Sequence, residues 1–464
     1  MVSDLMSFSE ISRSLGADHI SCAGNTGFSS VSIDSRKVKQ DSLFIALQGA
    51  SCDGHAFVGS AFKTGAGGAI VEASKVEKYD LFNIAKKAGK DLIIVDNALK
   101  GLQNAAAAYL KKFPALIRIG ITGSSGKTTT KEITGAIISC EKNTVMNEGN
   151  LNSETGMPLS AFEVRHWHEA GVFEIGTNRK GEISESTKVL KPNIAAVTNV
   201  GHAHIENFGS ITEIVKEKKN IFSFMTDGDV ALVPDKDEHK CLLAEGVKGK
   251  IRYYSADSMP EFEGVRDLGL DGSEITWAGE KIHFALPGKH SLDDAIAAIA
   301  IAKEVPVSNS AIKQGLEKVR PLFGRLEIIR GRTTVIRDCY NANPESTAKS
   351  IEFCDSLDWR GRRVYVIADL LELGEISASV HRELGALLAK SKADMIYLFG
   401  NKIEAAAAPV ADSGKNFFYT DDMDKLSLAM DRYVQSNDIV LLKGSRKCAL
   451  ERLTGMLTGV SSVS

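Results

Sequence analysis

The sequence predicts an α/β protein of three units: a mixed α/β N-terminal unit, a central parallel sheet opened by a phosphate loop, and a doubly wound C-terminal unit. Three observations predict it. The chain has 464 residues, and at about 100–200 residues per domain that length implies roughly three domains. An apolar run, ALIRIGIT at 115–122, leads through a Gly/Ser loop into a helical pattern. After Pro321, strand-like and helix-like segments alternate with short connections.

The first unit spans 1–110. Its strand-like runs are SLFIAL (42–47), GAIVE (68–72) and DLIIVD (91–96), interleaved with helical stretches. A second unit starts at the Lys111–Pro114 break and runs over 111–320. Behind its glycine loop, Ile133, Ala136, Ile137 and Cys140 recur on one helical face. GVFEIG (171–176) and NIAAVTNV (193–200) read as further buried strands. The stretch 235–285 reads as charged and irregular, and a helix follows over about 291–303.

The third unit spans 321–464. It alternates strand 333–338, helix 345–357, strand 362–369, helix 378–390, strand 394–400, helix, strand 438–445. Val380, Leu384, Leu387 and Leu388 form one stripe of the second helix. This order predicts a doubly wound, Rossmann-like parallel sheet, without the G-x-G-x-x-G of a dinucleotide site. The tail 459–464 is small and polar, so fraying is expected.

Composition narrows the class. Apolar residues make up 43% and charged residues 25% of the chain, which excludes a disordered, collagenous or disulfide-scaffold protein. The 56 basic and 59 acidic residues leave a net charge of −3. No global positive field therefore draws in nucleic acid or an anionic membrane. An anionic ligand needs locally placed cations instead. The seven cysteines are scattered, with no C-x-x-C; this argues against a zinc site or redox pair and fits the cytosol. The start, MVSDLMSFSE, lacks the basic-then-apolar pattern of a signal peptide. The longest apolar run, AIAAIAIA at 295–302, is too short to span a bilayer. A cytoplasmic protein with no membrane span and no nucleic-acid partner is expected.

The sharpest motif is Gly123-Ser124-Ser125-Gly126-Lys127-Thr128, directly after the strand-like run. Phosphate binding needs a backbone that turns several N–H groups toward one anion. It also needs a helix N-terminus, a lysine for the β/γ-phosphates and a hydroxyl for Mg²⁺. All four are present in order. The spacing departs from the general pattern, with Ile121 where a glycine is usual. The alternative is a plain βα turn that contains G-K-T.

Glu174 lies inside an apolar strand, where a carboxylate is costly unless it is paired or faces a cation. It is a candidate metal ligand, or a salt-bridged strand glutamate. His204, past the end of the next strand, is a candidate ligand or a hydrogen-bonded core residue. Lys216, Lys218 and Lys219 on one helix read as a solvated basic face. Asp338-Cys339-Tyr340-Asn341-Ala342-Asn343-Pro344 closes a strand, where open α/β sheets bind ligands. The alternative is a turn whose Asn and Pro serve the backbone alone. Lys443-Gly444-Ser445-Arg446 carries the same two readings. Asp34-Ser35-Arg36 and Asp53-Gly54-His55 read locally as turns.

Together, TGSSGKTTTKE (122–132), GNLNSETGMPL (149–159), FEIGTNRKGEI (173–183), TNVGHAHIENFGS (198–210), YNANP (340–344), LLELGE (370–375) and KGSR (443–446) resemble the Mur ligase family. The resemblance runs along nearly the whole chain. That family builds the peptide stem of bacterial cell-wall precursors. The resemblance implies an ATP-dependent ligase in which a substrate carboxylate takes the γ-phosphoryl group. An amine then attacks the acyl phosphate, and the tetrahedral intermediate expels phosphate. YNANP and LLELGE point to the member that joins D-Ala-D-Ala to a UDP-N-acetylmuramoyl tripeptide. The alternatives are the sister member that adds the third stem residue, and a degenerate homologue that binds nucleotide without chemistry.

The resemblance also implies roles. Lys127 would hold the β/γ-phosphates within a loop of Thr122, Gly123, Ser124, Ser125, Gly126, Thr128 and Thr129. Thr128, Glu174, His204 and Lys218 would serve Mg²⁺; Lys218 aligns with a lysine that many members carry as a carbamate, a carboxylate-like metal ligand. Lys127, Glu174, His204 and Lys218 would form the catalytic set. Asn199, Asp294, Arg325, Asp338, Tyr340, Asn341 and Asn343 would contact ATP. Ser35, Arg36, Asp53 and His55 would meet the UDP-sugar in the N-terminal domain, and Asn150 and Asn178 would also touch substrate. The C-terminal domain would close over ATP and bind the amine, in a monomer.

Departures are present. Ser291 and Asp294 replace two asparagines of a G-x-H-N-x-x-N element, and Asn220 stands where glutamate is usual. Ala368-Asp369-Leu370 replaces Gly-Asp-Met, and Arg337 replaces an acidic residue. None removes a phosphate- or metal-handling group, so activity with altered nucleotide contacts is expected.

Overall fold

The site is positioned by a six-stranded, wholly parallel sheet in the middle of the chain. Its order is Lys250–Tyr254, Val230–Pro234, Ile194–Val197, Ile117–Thr122, Ala170–Glu174, Thr144–Met146. The computed structural model describes residues 4–21 and 27–459. Cys22 and, beyond Gly459, the tail expected to fray lie outside the described residues.

These strands read as unbroken apolar runs because both faces of the sheet are covered. Alternate residues point to opposite faces. Val172 and Ala196 join a core with Ile133 and Ile137 of helix Lys127–Ile138 and with helix Lys289–Lys303. Phe173, Ala195 and Val197 join a second core, which continues into the N-terminal unit through Tyr109 and Phe28. The chain leaves the phosphate-loop strand Ile117–Thr122 for the Thr144–Met146 edge. It returns beside itself at Ala170–Glu174, then crosses over to Ile194–Val197. Such reversals of strand order open a crevice at the carboxyl ends. Register aligns Glu174 with Ile121 and Val197 with Thr122.

The stretch 235–285 is more regular than expected. It contains Lys250–Tyr254 and an antiparallel sheet of Phe262–Asp267, Ser273–Trp277 and Glu280–Phe284. One face buries Ile275, Trp277, Ile282 and Phe284, while Arg266 and Lys281 stand on the open side. A half-exposed antiparallel sheet tolerates this charge density.

The C-terminal sheet runs Glu327–Arg330, Thr334–Asp338, Ile439–Lys443, Arg363–Ala368, Met395–Phe399, Phe417–Thr420. Helices cover both faces: Tyr365 and Ile367 face one core, Val364 and Val366 the other. The doubly wound expectation holds for its parallel strands. It needs two corrections at the edges: Glu327–Arg330 is antiparallel, and Phe417–Thr420 is an additional strand. The crossover sets Asp338 directly beside Lys443.

The N-terminal sheet runs Asp18–Ile20, Asp91–Val95, Ala66–Glu72, Ser42–Ile45, Ser30–Ser32, with Asp18–Ile20 antiparallel. Helix Ala98–Leu110 ties this unit to the central one. Tyr109 donates to the Val164 carbonyl at 2.6 Å, and Lys100 pairs with Glu185 at 2.8 Å. Among the described residues no helix is long and apolar enough to cross a membrane.

Candidate active site

A cavity of about 1090 Å³ lies between the central and C-terminal units, with the phosphate loop on its wall. The loop's shape depends on two glycines in the left-handed half of backbone space, Gly123 at φ 155° and Gly126 at φ 77°. A Cβ on Gly123 would lie 1.8 Å from Thr198 Oγ1, and one on Gly126 would lie 2.0 Å from Asp294 Oδ1. Space and conformation therefore both demand glycine here.

The loop is pinned from the neighbouring strand's exit. Asn199 Oδ1 accepts from the Ser125 backbone N–H at 3.1 Å, and its amide donates to Ser125 O at 3.0 Å. Thr198 Oγ1 donates to the same carbonyl at 2.6 Å. Ser124 Oγ donates to Gly201 O at 3.0 Å and accepts from Gly201 N–H at 2.9 Å. The backbone N–H groups are thus preorganised at the start of helix Lys127–Ile138.

Lys127 Nζ folds over the loop and donates to Gly123 O at 2.8 Å. Burial pushes this ammonium below its ordinary value; Arg325 adds to the shift, while Glu174 and Asp294 oppose it. Thr128 Oγ1 donates to Glu174 Oε2 at 2.7 Å and accepts from Arg325 Nη2 at 2.9 Å. Glu174 is only 2% exposed. Its other oxygen accepts from Asn152 Nδ2 at 2.6 Å. Its backbone is clamped by Asn147, which accepts from Glu174 N–H at 2.9 Å and donates to its carbonyl at 3.0 Å. Asn147 is in turn held by the buried Lys131, 2.6 Å from its carbonyl.

No group of three or more His, Cys, Asp or Glu able to hold a metal occurs among the described residues. What converges is a hydroxyl and a carboxylate, Thr128 and Glu174. Two hard oxygens beside a phosphate loop fit Mg²⁺, which keeps waters and takes few protein ligands. His204, in the left-handed region at φ 62°, faces the same cavity. Its Nδ1 meets the carboxylate of Glu372 of the C-terminal unit. A carboxylate on one ring nitrogen is the arrangement that orients a histidine to present the other.

The three lysines of helix Ile211–Lys219 separate cleanly. Lys216 is an exposed partner of Glu213 at 2.8 Å, and Lys219 reaches Glu245 at 3.7 Å. Lys218 is 2% exposed. Burial, then the charge of Lys127, pushes Lys218 well below its ordinary value. The solvated-face reading therefore fails at Lys218 and holds at Lys216.

From the C-terminal unit, Arg325 stacks over Tyr340 at 4.3 Å while it reaches Thr128. Asp338 accepts from Lys443 Nζ at 2.8 Å and from Ser350 Oγ at 2.6 Å. Burial alone would raise its carboxyl, but the Lys443 charge and hydrogen bond hold it below the ordinary value. Stability from this pair is therefore fully present above the ordinary aspartate pKa. It is lost as pH falls through the lowered value of Asp338. Lys443→Met is expected to cost about 3–5 kcal/mol by stranding a buried carboxylate. Urea unfolding reads this cost, and the gap from the unsubstituted chain should narrow only in acid. Equal midpoints at neutral pH would contradict it.

Asn341 and Asn343 line the cavity. Asn343 also caps helix Pro344–Ser356, accepting from Ser346 N–H at 2.8 Å with Pro344 in the first turn. Asp294 lies against Gly126, and burial, then Asp293, lifts its carboxyl well above the ordinary range. Asn150 and Asn178 line the wall near Asn152.

The N-terminal residues stand apart from this cavity. Arg36 is exposed and paired with Asp34 at 2.8 Å, next to Ser35. His55 is 1% exposed. Its Nδ1 meets Asp53 at 2.6 Å, and its Nε2 accepts from Glu72 N–H at 2.9 Å. Asp53 further accepts from Lys75 at 2.9 Å and Tyr79 at 3.0 Å. Asp53 and His55 thus form an internal scaffold, and both ring nitrogens of His55 are taken.

Sequence reasoning missed Asn147, Asn152, Lys131, Glu345 and Glu372. Asn152 sits inside the quoted GNLNSETGMPL run and Glu372 inside LLELGE, so a signal was present. Glu345 carried none.

A nucleotide loop, a facing carboxylate and a C-terminal unit reaching across the cavity define the class. The chain belongs to the Mur ligase family. It matches the Mur ligase middle domain over 121–302, the Mur ligase, glutamate ligase domain over 324–446, and the Mur ligase family, catalytic domain over 28–110. It is 40% identical over 456 residues to UDP-N-acetylmuramoyl-tripeptide–D-alanyl-D-alanine ligase of Treponema pallidum, covering 98% of this chain and 99% of that protein. The ligase of the same name from Bacillus subtilis is 31% identical over 433 residues, covering 91% and 92%. MurF of Acinetobacter baumannii superposes with a TM-score of 0.87 at 27% identity, covering 98% and 99% of the two chains. MurF ligase of Thermotoga maritima in complex with ADP superposes at 0.77 and 25% identity, covering 93% and 97%.

Proposed function

We propose that this chain is an ATP-dependent amide ligase that adds D-alanyl-D-alanine to a UDP-N-acetylmuramoyl tripeptide during peptidoglycan precursor synthesis. The observation that carries the reading is Arg325 of the C-terminal unit meeting Thr128 of the phosphate loop in a cavity that also holds Glu174 and Lys127. Full-length similarity to relatives named for that activity supports it.

In this reading 1–110 binds the UDP-sugar, 111–320 binds ATP, and 321–464 closes over ATP and binds the amine. Lys127 and the loop N–H groups hold the phosphates, and Arg325 completes the cationic wall. Such a wall is needed because a carboxylate and a triphosphate must be brought together against their repulsion. The carboxylate oxygen forms a bond to the γ-phosphorus as the bond to ADP breaks. The neutral amine of D-Ala-D-Ala then attacks the acyl carbon, and inorganic phosphate departs. Thr128, Glu174 and His204 would hold Mg²⁺, which neutralises charge on the transferring phosphoryl group. The enzyme is read as a cytoplasmic monomer. Competition between D-Ala-D-Ala and diamino acids as the amine donor tests the assignment. Incorporation of a diamino acid in preference would place the chain with the sister ligase.

Lys218 is read as the carbamate-bearing lysine. Carbamylation needs the neutral amine, which burial and Lys127 favour at that position. Lys218→Ala is expected to lower kcat by about 10–100-fold, with partial recovery on adding acetate. Undiminished turnover in that variant would remove the carbamate from the account.

A further inference from the structure

Two carboxylates of the C-terminal unit seat on the segment after strand Ile194–Val197. Glu372 takes His204, a residue already placed in the site. Glu345 has no such assignment. It lies in the first turn of helix Pro344–Ser356. Its Oε1 accepts from the His202 backbone N–H at 3.0 Å and contacts His202 Nδ1 at 2.5 Å. Residue 201 leaves room for this approach: a Cβ on Gly201 would lie 2.8 Å from the Glu345 carboxyl carbon, so the carboxylate would have to shift. The second oxygen, Oε2, is buried without a hydrogen-bond partner among the described residues. Among the described residues the hydrogen bonds of the Glu345 carboxylate therefore all go to His202.

The contact does not end at His202. Gly201, its neighbour, exchanges two hydrogen bonds with Ser124 Oγ of the phosphate loop, and Ser124 N–H donates to Asn199 O at 3.0 Å. A continuous path thus runs from the C-terminal unit through Glu345, His202 and Gly201 to Ser124. We infer that Glu345 is a positioning residue that couples docking of the C-terminal unit to the geometry of the phosphate loop, acting through the Gly201–His202 backbone. The inference rests on the ligase reading for its kinetic consequence, and on the hydrogen-bond path alone for its structural one. When the unit docks, Glu345 holds the 199–202 segment, and that segment holds Ser124 and Ser125. When it withdraws, the loop keeps only its bonds within the central unit. Productive loop geometry is thereby tied to closure.

The test uses the full chain with Glu345→Ala, Glu345→Gln, His202→Ala and the Glu345→Ala/His202→Ala double variant. Glu345→Ala should lower kcat about tenfold, as small misplacements of catalytic groups do. KM for ATP should stay within about twofold, because the loop's own phosphate donors remain. Glu345→Gln should recover most of the loss, since its amide oxygen still accepts from the His202 N–H. The double variant should match Glu345→Ala within about twofold, the signature of one shared path. Amide exchange should rise in 199–203 and in 122–126 of Glu345→Ala, with the rest of the central unit unchanged. Unaltered kcat, additive losses in the double variant, or unchanged exchange at 122–126 would overturn the coupling. If the unsubstituted chain shows no turnover, the ligase reading fails, and the exchange comparison still decides the path.

Discussion

Replacing Lys127 with alanine should abolish turnover while leaving the protein folded. The lysine is the first residue of helix Lys127–Ile138 and lies over the phosphate loop, 2.8 Å from Gly123 O. Among the described residues its hydrogen bonds go to the loop carbonyls of Gly123 and Ser124. Burial already disfavours its charge, so removing the ammonium relieves a desolvation cost and the melting temperature should hold or rise. Catalysis has no such compensation. The γ-phosphoryl group leaves a triphosphate for a carboxylate, and the developing charge must meet a fixed cation. Loss of one preorganised donor of this kind costs on the order of 10²–10³-fold, and a full positive charge at the upper end or beyond. ADP release and melting measured on one preparation check this. A folded variant with unsubstituted kcat would show that phosphate is held elsewhere.

Glu174→Gln should be nearly as damaging, by a different route. The side chain is enclosed, with one oxygen accepting from Thr128 and the other from Asn152. Glutamine keeps the shape and one acceptor but removes the charge, and its NH₂ must face one of two donors. Apparent Mg²⁺ affinity should fall by about 10–100-fold, the usual cost of disturbing a metal's environment, and kcat with it. A Mg²⁺ titration of ADP release reads both. Because Asn147 clamps the backbone of Glu174 independently of its side chain, the strand should persist. An unchanged Mg²⁺ dependence would take Glu174 out of the metal site.

What was legible in the sequence was local. The phosphate loop declares itself within six residues, because strand, glycines, lysine and hydroxyl must be contiguous. Burial of Glu174 followed from its apolar neighbours. The run of like charges misplaced Lys218, whose helix turns one basic residue inward while Lys216 stays in solvent. The half-exposed sheet 262–284 was missed because its charged open face hides the two-residue alternation of its buried one. Contacts across units carry no local signature. Glu345 and His202 are 143 residues apart, and nothing in either segment names the other. The cap made by Asn343 shows the converse. One asparagine in a motif-like run serves the helix start, and it lines the cavity as well.

The most direct test of the ligase reading is ADP release by the purified chain with ATP, Mg²⁺, UDP-N-acetylmuramoyl tripeptide and D-Ala-D-Ala, omitting each in turn, with the product's mass measured alongside. The account predicts ADP only in the complete mixture, matched mole for mole by UDP-N-acetylmuramoyl pentapeptide. Nucleotide binding without turnover, across tripeptides with different third residues, would contradict it.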